Sequence, residues 1–143
     1  MKKYITIYFK IIQILEKFFM PILVLLMRFW MARIFWYSGL TKISDWPATI
    51  FLFKDEYKVP VIPPEIAAYF AASFELTCPI LLTLGLATRL ATLPMLAMTS
   101  IIQFTYLDLI DHRYWAMLLT TILFYGPGIF SLDNWIKKKL KTE

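Results

Sequence analysis

IAAYFAASFELTCPILLTLGL, Ile66 to Leu86, is apolar over almost all of its 21 residues and carries one carboxylate, Glu75, near its centre. At about 1.5 Å of rise per residue, a helix of this length spans a hydrocarbon core of roughly 30 Å. Glu75 then sits near mid-membrane. A charge there costs roughly 3 kcal/mol or more, so such groups turn inward toward a partner. Arg28 and Arg33, inside an earlier apolar run, are the obvious cations.

The rest of the 143-residue chain has the same character: 59% hydrophobic, 17% aromatic, with mean hydropathy +0.63. That is too apolar for an ordinary soluble domain and leaves room for several spans. The net charge of +5 comes from lysines clustered near the two ends, beside apolar spans and without a DNA-binding motif. They read as membrane-surface charges, and nucleic acid is not an expected partner. Lys2, Lys3 and the apolar run after them resemble the start of a signal peptide. Lys10, Glu16 and Lys17 interrupt that run and no small-residue cleavage site follows, so the segment is expected to be retained. Cys78 is the single cysteine, which excludes an intrachain disulfide.

Residues 1–17 mix Lys2, Lys3, Lys10 and Lys17 with Ile, Tyr and Phe at helical spacing, a pattern for an amphipathic interfacial helix. Residues 18–130 form the membrane domain, with spans expected at about 18–42, 65–86, 89–107 and 114–130. Between the first two, Ile43 to Pro64 holds prolines, aromatics and both charge signs, the composition of an ordered extramembrane loop. Its middle, Ala48 to Phe53, suits a short surface helix. Pro63 and Pro64 open the second span, and Gly85 closes it in the tight turn GLATR. Gly126, Pro127 and Gly128 end the last span, after which Ser131 caps a basic amphipathic tail, residues 131–143.

Lysine and arginine concentrate on one side. The N-terminal segment, the turn at Arg89 and the tail lysines 137–139 and 141 stand against Lys42, Lys54, Lys58 and Arg113. Those four are offset by Asp45, Asp55, Glu56, Asp108 and Asp111. The positive-inside rule places both termini in the cytoplasm.

Arg28 follows Lys17 by 11 residues and Glu75 follows Pro64 by 11. Two antiparallel spans starting at those points bring the pair to similar depth, and an Arg28–Glu75 ion pair is the expectation. Arg33 lies about 7.5 Å farther along and roughly 140° around the helix, a position suited to Glu65 or the Asp108–His112 loop. Two readings of the buried charges stand side by side: a pair that only fixes helix register, and a polar pocket for a headgroup, a quinone or a proton. His112, the single histidine, follows Asp111, which suits an interfacial hydrogen-bonding group or an acid–base pair at the outer mouth. One histidine gives no haem or metal signature. Cys78 reads as a small packing residue. Phe29, Trp30, Phe35, Trp36 and Tyr37 suit lipid-facing and belt positions, or a pocket for a flat ring.

The blocks RFWMARIFWYSGLTKISDW, PPEIAAYFAASFELTCPILLTLGLATR, DHRYW and GPGIFSLD, in that order, resemble the DoxX family of small bacterial four-span membrane proteins, over about Arg28 to Ile136. The resemblance implies an all-α antiparallel four-helix bundle in the inner membrane with both termini inside. The family's recurrent polar positions correspond to Arg28, Gly39, Lys42, Glu75, Arg89, His112 and Asp133. Arg33 and Cys78 match no recurrent position, and the N-terminal segment looks like an addition. Family members are associated with a terminal quinol oxidase, with thiol and oxidative-stress systems, or with metal-peptide maturation. Membership therefore does not define a biochemical activity.

The expected function is a redox-associated protein that binds a quinone or similar lipid-soluble ring as the partner of an oxidoreductase. Arg28, Arg33, Lys42, Glu75 and His112 are its candidate ligand-binding residues. Gly39, Gly85, Arg89, Gly126, Pro127, Gly128 and Asp133 are assigned structural roles, and no catalytic residue is assigned. The competing expectation is a non-catalytic scaffold that docks a membrane partner through the Ile43–Pro64 loop. Homo-oligomerisation is compatible with either reading, although no GxxxG motif supports it.

Overall fold

A computed structural model describes residues 2–59, 61–106 and 108–141. Met1, Thr142, Glu143, Pro60, the expected last residue of the third span, Leu107, and the side chains of Lys2 and Lys3 lie outside the description. The described chain is helical, with no strand among the described residues. Helix α1 (Lys2–Ile14) passes through a π-helical turn, Leu15–Phe19, into α2 (Met20–Ser44) without a break. The π turn stands just before Pro21, whose ring cannot tolerate the carbonyl four residues back. Slipping the hydrogen-bond register by one residue lets the helix continue, and Met20 N bonds to Leu15 O accordingly.

Asp45 ends α2 and caps α3 (Trp46–Phe51) by accepting Ala48 N at 3.1 Å. A π-helical segment, Leu52–Tyr57, completes the loop. Helix α4 (Pro64–Leu84) begins at Pro64 and stops at Gly85, whose φ of +69° suits glycine. Helices α5 (Thr88–Thr105), α6 (Ile110–Tyr125) and α7 (Leu132–Leu140) follow, the last capped by Ser131, whose Oγ accepts Asn134 N at 3.2 Å.

Helix α2 packs against α4 and α6, and α5 packs against the same two. The four long helices thus close on one another around Met31, Phe35, Leu82, Met95, Leu119 and Ile122. Small residues set the tightest contact. A Cβ on Gly39 would lie 2.9 Å from Leu76 Cδ2 and 3.1 Å from Glu75 Cβ, so α2 meets α4 there at a close approach that glycine accommodates without a shift. At the loop end, α3 and Leu52–Tyr57 cross over the alanine face of α4, where Phe53 packs on Ala67, Ala68 and Ala71.

Two helices, Tyr4–Ser44 and Pro64–Leu84, are long and apolar enough to cross a membrane. Only 33% and 44% of their most apolar windows are buried, so protein does not enclose them as it would core helices of a soluble domain. Leu26, Trp30, Leu90, Met117 and Phe124 all point outward, an apolar exterior suited to lipid.

The opposite end is tied by α7. Asp133 N donates to Gly85 O at 2.9 Å, while the Asp133 carboxylate accepts Ala87 N at 2.8 Å and Thr88 N at 3.0 Å, capping α5. Asp133→Ala removes both cap bonds and is expected to cost about 0.5–2 kcal/mol. Thermal unfolding in detergent measures this, and an unchanged midpoint would show that the cap contributes nothing.

Candidate functional site

Arg28 and Glu75 do not meet. Arg28 is 1% exposed, and its guanidinium donates only to backbone carbonyls: Nε to Leu82 at 2.8 Å, Nη2 to Thr83 at 2.9 Å, and Nη1 to both Pro127 and Phe130 at 2.8 Å. Leu82 and Thr83 belong to the last turn of α4, whose carbonyls have no partner within the helix. Arg28 satisfies them, places a cation at that helix C-terminus, and holds the Gly126–Gly128 turn against it. A Cβ on Gly85 would lie 2.5 Å from Arg28 Nη2, so glycine makes room for the guanidinium. The expected ion pair fails because α2 is continuous with α1, so Lys17 does not mark a common starting depth for the two spans. With Gly39 seated on Leu76 and Glu75, Arg28 lies opposite the end of α4.

Lys42 takes the place expected of Arg28. Its Nζ donates to Glu75 Oε1 at 2.9 Å and to Ser38 Oγ at 3.1 Å, and Ser38 Oγ in turn donates to Oε1 at 3.2 Å. The same ammonium lies 2.8 Å from Oε2. Oε2 thus has a counter-charge but no aligned hydrogen-bond donor. The pair is nearly closed to solvent, with side-chain exposures of 11% for Lys42 and 5% for Glu75.

In front of this pair opens an apolar cavity of about 380 Å³ between the loop, α4 and α5. Phe53, Tyr57, Phe70, Phe74, Pro94 and Met98 line its walls, and Lys42 and Glu75 form its polar floor. Burial, reinforced by the carboxylates of Glu75 and then Glu56, pushes the Tyr57 phenol above its ordinary pKa, so it stays a neutral donor. A volume in this range, apolar walls and a few convergent polar groups are the common features of a small-molecule site.

His112 is packed against Trp115, with ring centroids 4.6 Å apart, and lines a second, smaller cavity together with Glu75. Arg33 meets neither Glu65 nor the Asp108–His112 loop. It faces outward over the ring of Tyr37, 5.8 Å from its centroid, because 140° of helix separates it from the face of Arg28. At the loop end, Asp108 pairs instead with Arg113 and accepts from Gln103. The hydrogen bond from Arg113 holds the Asp108 carboxyl below the usual carboxylate range. Arg89 donates to Phe124 O at 3.3 Å, beside Gly126. Cys78 is buried in the core, as a packing residue would be.

The sequence profile of the DoxX family matches residues 23–108. This chain belongs to the DoxX family. No curated protein and no solved structure matches it. The DoxX match includes Arg28, Lys42, Tyr57 and Glu75, and so the floor and walls of the larger cavity. It ends before His112, the Gly126–Gly128 turn and Asp133.

Several residues that line the larger cavity escaped sequence reasoning, among them Tyr57, Phe70 and Phe74, and so did Ser38, which bonds to Lys42 and Glu75. Ser38 stands four residues before Lys42, on the same helix face. Ala67, Phe70, Ala71, Phe74 and Glu75 share a face of α4 at spacings of three, four, seven and eight. Those periodicities were legible. Tyr57 reaches the cavity from the loop, and no local pattern announces that.

Proposed function

We propose that this DoxX protein binds a flat, lipid-soluble ring of the quinone class in the cavity above Lys42 and Glu75, and serves as the membrane partner of an oxidoreductase. The carrying observation is an apolar, aromatic-walled cavity of about 380 Å³ floored by a buried ion pair. A quinone supplies paired ring oxygens that accept hydrogen bonds when oxidised and donate them when reduced. The Lys42 ammonium and the neutral Tyr57 phenol are donors for the first state, and the Glu75 carboxylate is an acceptor for the second. Phe53, Phe70 and Phe74 give a flat ring apolar surface to pack against. Arg28, expected on the floor, is fully engaged by carbonyls and takes no part.

In the same reading, α2, α4, α5 and α6 are four antiparallel spans of a bacterial inner membrane, with both termini cytoplasmic. Helices α5 and α6, of 18 and 16 residues, are about 27 and 24 Å long and cover most of a hydrocarbon core. The basic residues Arg89, Lys137, Lys139 and Lys141 gather at the turn end and the acids Asp45, Asp55, Glu56 and Asp111 at the loop end, which supports this orientation.

Native mass spectrometry with lipid and quinone extraction, on protein purified in mild detergent, tests the reading. A stoichiometric ring compound in the wild type, lost in a folded Glu75→Gln variant, is the expected result. Unchanged quinone content in that variant would count against it. The scaffold reading draws on a specific observation too, because Glu75 already has a counter-charge within the chain. It expects Glu75→Gln to destabilise the fold, and exchange of the Ile43–Pro64 loop to abolish capture of a partner.

A further inference from the structure

Behind the ion pair lies a small chamber of about 130 Å³, bounded among others by Ser38, Glu75, Thr99, His112 and Trp115. Glu75 lines this chamber and the larger cavity alike, as do Met98 and Ile102, so its side chain forms part of the wall between them. Two polar atoms of the chamber residues are unsatisfied. His112 is 9% exposed and its Nδ1 has no hydrogen-bond partner among the described residues, while Glu75 Oε2 lacks an aligned donor. A buried nitrogen left unpaired has lost its hydration without a compensating hydrogen bond. A buried water needs two to four polar partners, and the chamber residues supply Ser38 Oγ, the Glu75 carboxylate, Thr99 Oγ1 and His112 Nδ1. At about 30 Å³ per water, there is room for roughly four.

We infer that this chamber is a hydrated proton-transfer site, in which water joins the Glu75 carboxylate to His112 Nδ1. A proton leaving a hydroxyl in the larger cavity forms an O–H bond on Glu75. Its equivalent passes through water to Nδ1, and the imidazole releases the proton on Nε2 to solvent water at the loop end. No electron moves along this route. The charged groups at or beside the chamber are Asp111 next to His112 on α6, Glu75 from α4 with its counter-ion Lys42 from α2, and the Asp108–Arg113 pair at the loop end. Helix α5 brings Thr99 and no charged side chain to the chamber. The ring reading enters only as the source of the proton, because hydration of the chamber and coupling of Glu75 to His112 require no ring.

The test uses the full chain in lipid nanodiscs with ¹⁵N-labelled histidine, where the single histidine gives one unambiguous imidazole. Magnetisation transfer from water to Nδ1 is expected in the wild type and is expected to fall several-fold in Thr99→Leu, which fills the chamber. Removing the carboxylate in Glu75→Gln is expected to lower the His112 titration midpoint by at least about half a pH unit. Absence of water transfer to Nδ1 in the wild type overturns the proposal and needs no variant to fold. A folded Thr99→Leu with undiminished transfer, or a folded Glu75→Gln with an unmoved midpoint, overturns it as well. A hydrated, coupled chamber in protein that holds no ring would defeat the ring reading alone, and a dry chamber in ring-loaded protein would defeat the relay alone.

Discussion

Arg28→Met is expected to destabilise the protein by at least about 3 kcal/mol, roughly 6–12 °C in the unfolding midpoint of a chain this size. The loss follows from geometry. One guanidinium serves four carbonyls on two segments, Leu82 and Thr83 at the end of α4 and Pro127 and Phe130 in the connection between α6 and α7. Methionine fills the volume and leaves all four without a donor, at a helix terminus that has no internal substitute. Arg28→Lys keeps the charge but gathers its donors at one atom, so it cannot reproduce a planar fork that spans both segments. It is expected to recover less than half of the loss. Thermal unfolding followed by circular dichroism in detergent measures both variants, and a midpoint for Arg28→Met within about 2 °C of wild type would show the clamp to be dispensable.

Lys42→Met is expected to cost about 3–5 kcal/mol, because it leaves the Glu75 carboxylate buried without its counter-charge. The double variant Lys42→Met with Glu75→Leu removes both charges and is expected to return to within about 1 kcal/mol of wild type, since apolar replacement of a whole buried pair is often neutral or better. Stability and binding then separate. The double variant should fold and yet carry no ring, because the polar floor of the cavity is gone. Full ring occupancy in that variant would show that the ion pair serves only the fold. Near-wild-type stability of Lys42→Met alone would show that Glu75 does not depend on Lys42.

The ends of α4 and the start of α7 were legible because their causes are local, whereas α6 runs from Ile110 to Tyr125 and not over 114–130. Pro64 opens α4, Gly85 closes it with a positive φ, and Ser131 caps α7 through its own hydroxyl. The buried position of Glu75 was legible for a similar reason, since a lone carboxylate in an apolar helix must turn inward. Its partner was not. Counting residues from Lys17 assumed that α2 starts there, whereas the π turn before Pro21 carries α1 straight into α2. From Glu75 to Leu82 is seven residues, or about 10 Å along α4, enough to hand Arg28 to the end of that helix and Glu75 to Lys42.

By itself, then, the sequence determined the helical periods, their stops, the apolar exterior and the need for Glu75 to be paired, all properties of short stretches of chain. The tertiary structure decided the register between α2 and α4, through the close seat of Gly39 on Leu76 and Glu75. That register makes Arg28 a backbone clamp, makes Lys42 the counter-ion, and puts His112 across a chamber from Glu75. Which side chains face each other across two helices depends on how closely the backbones approach. That distance is a property of the packed pair and is written in neither helix alone.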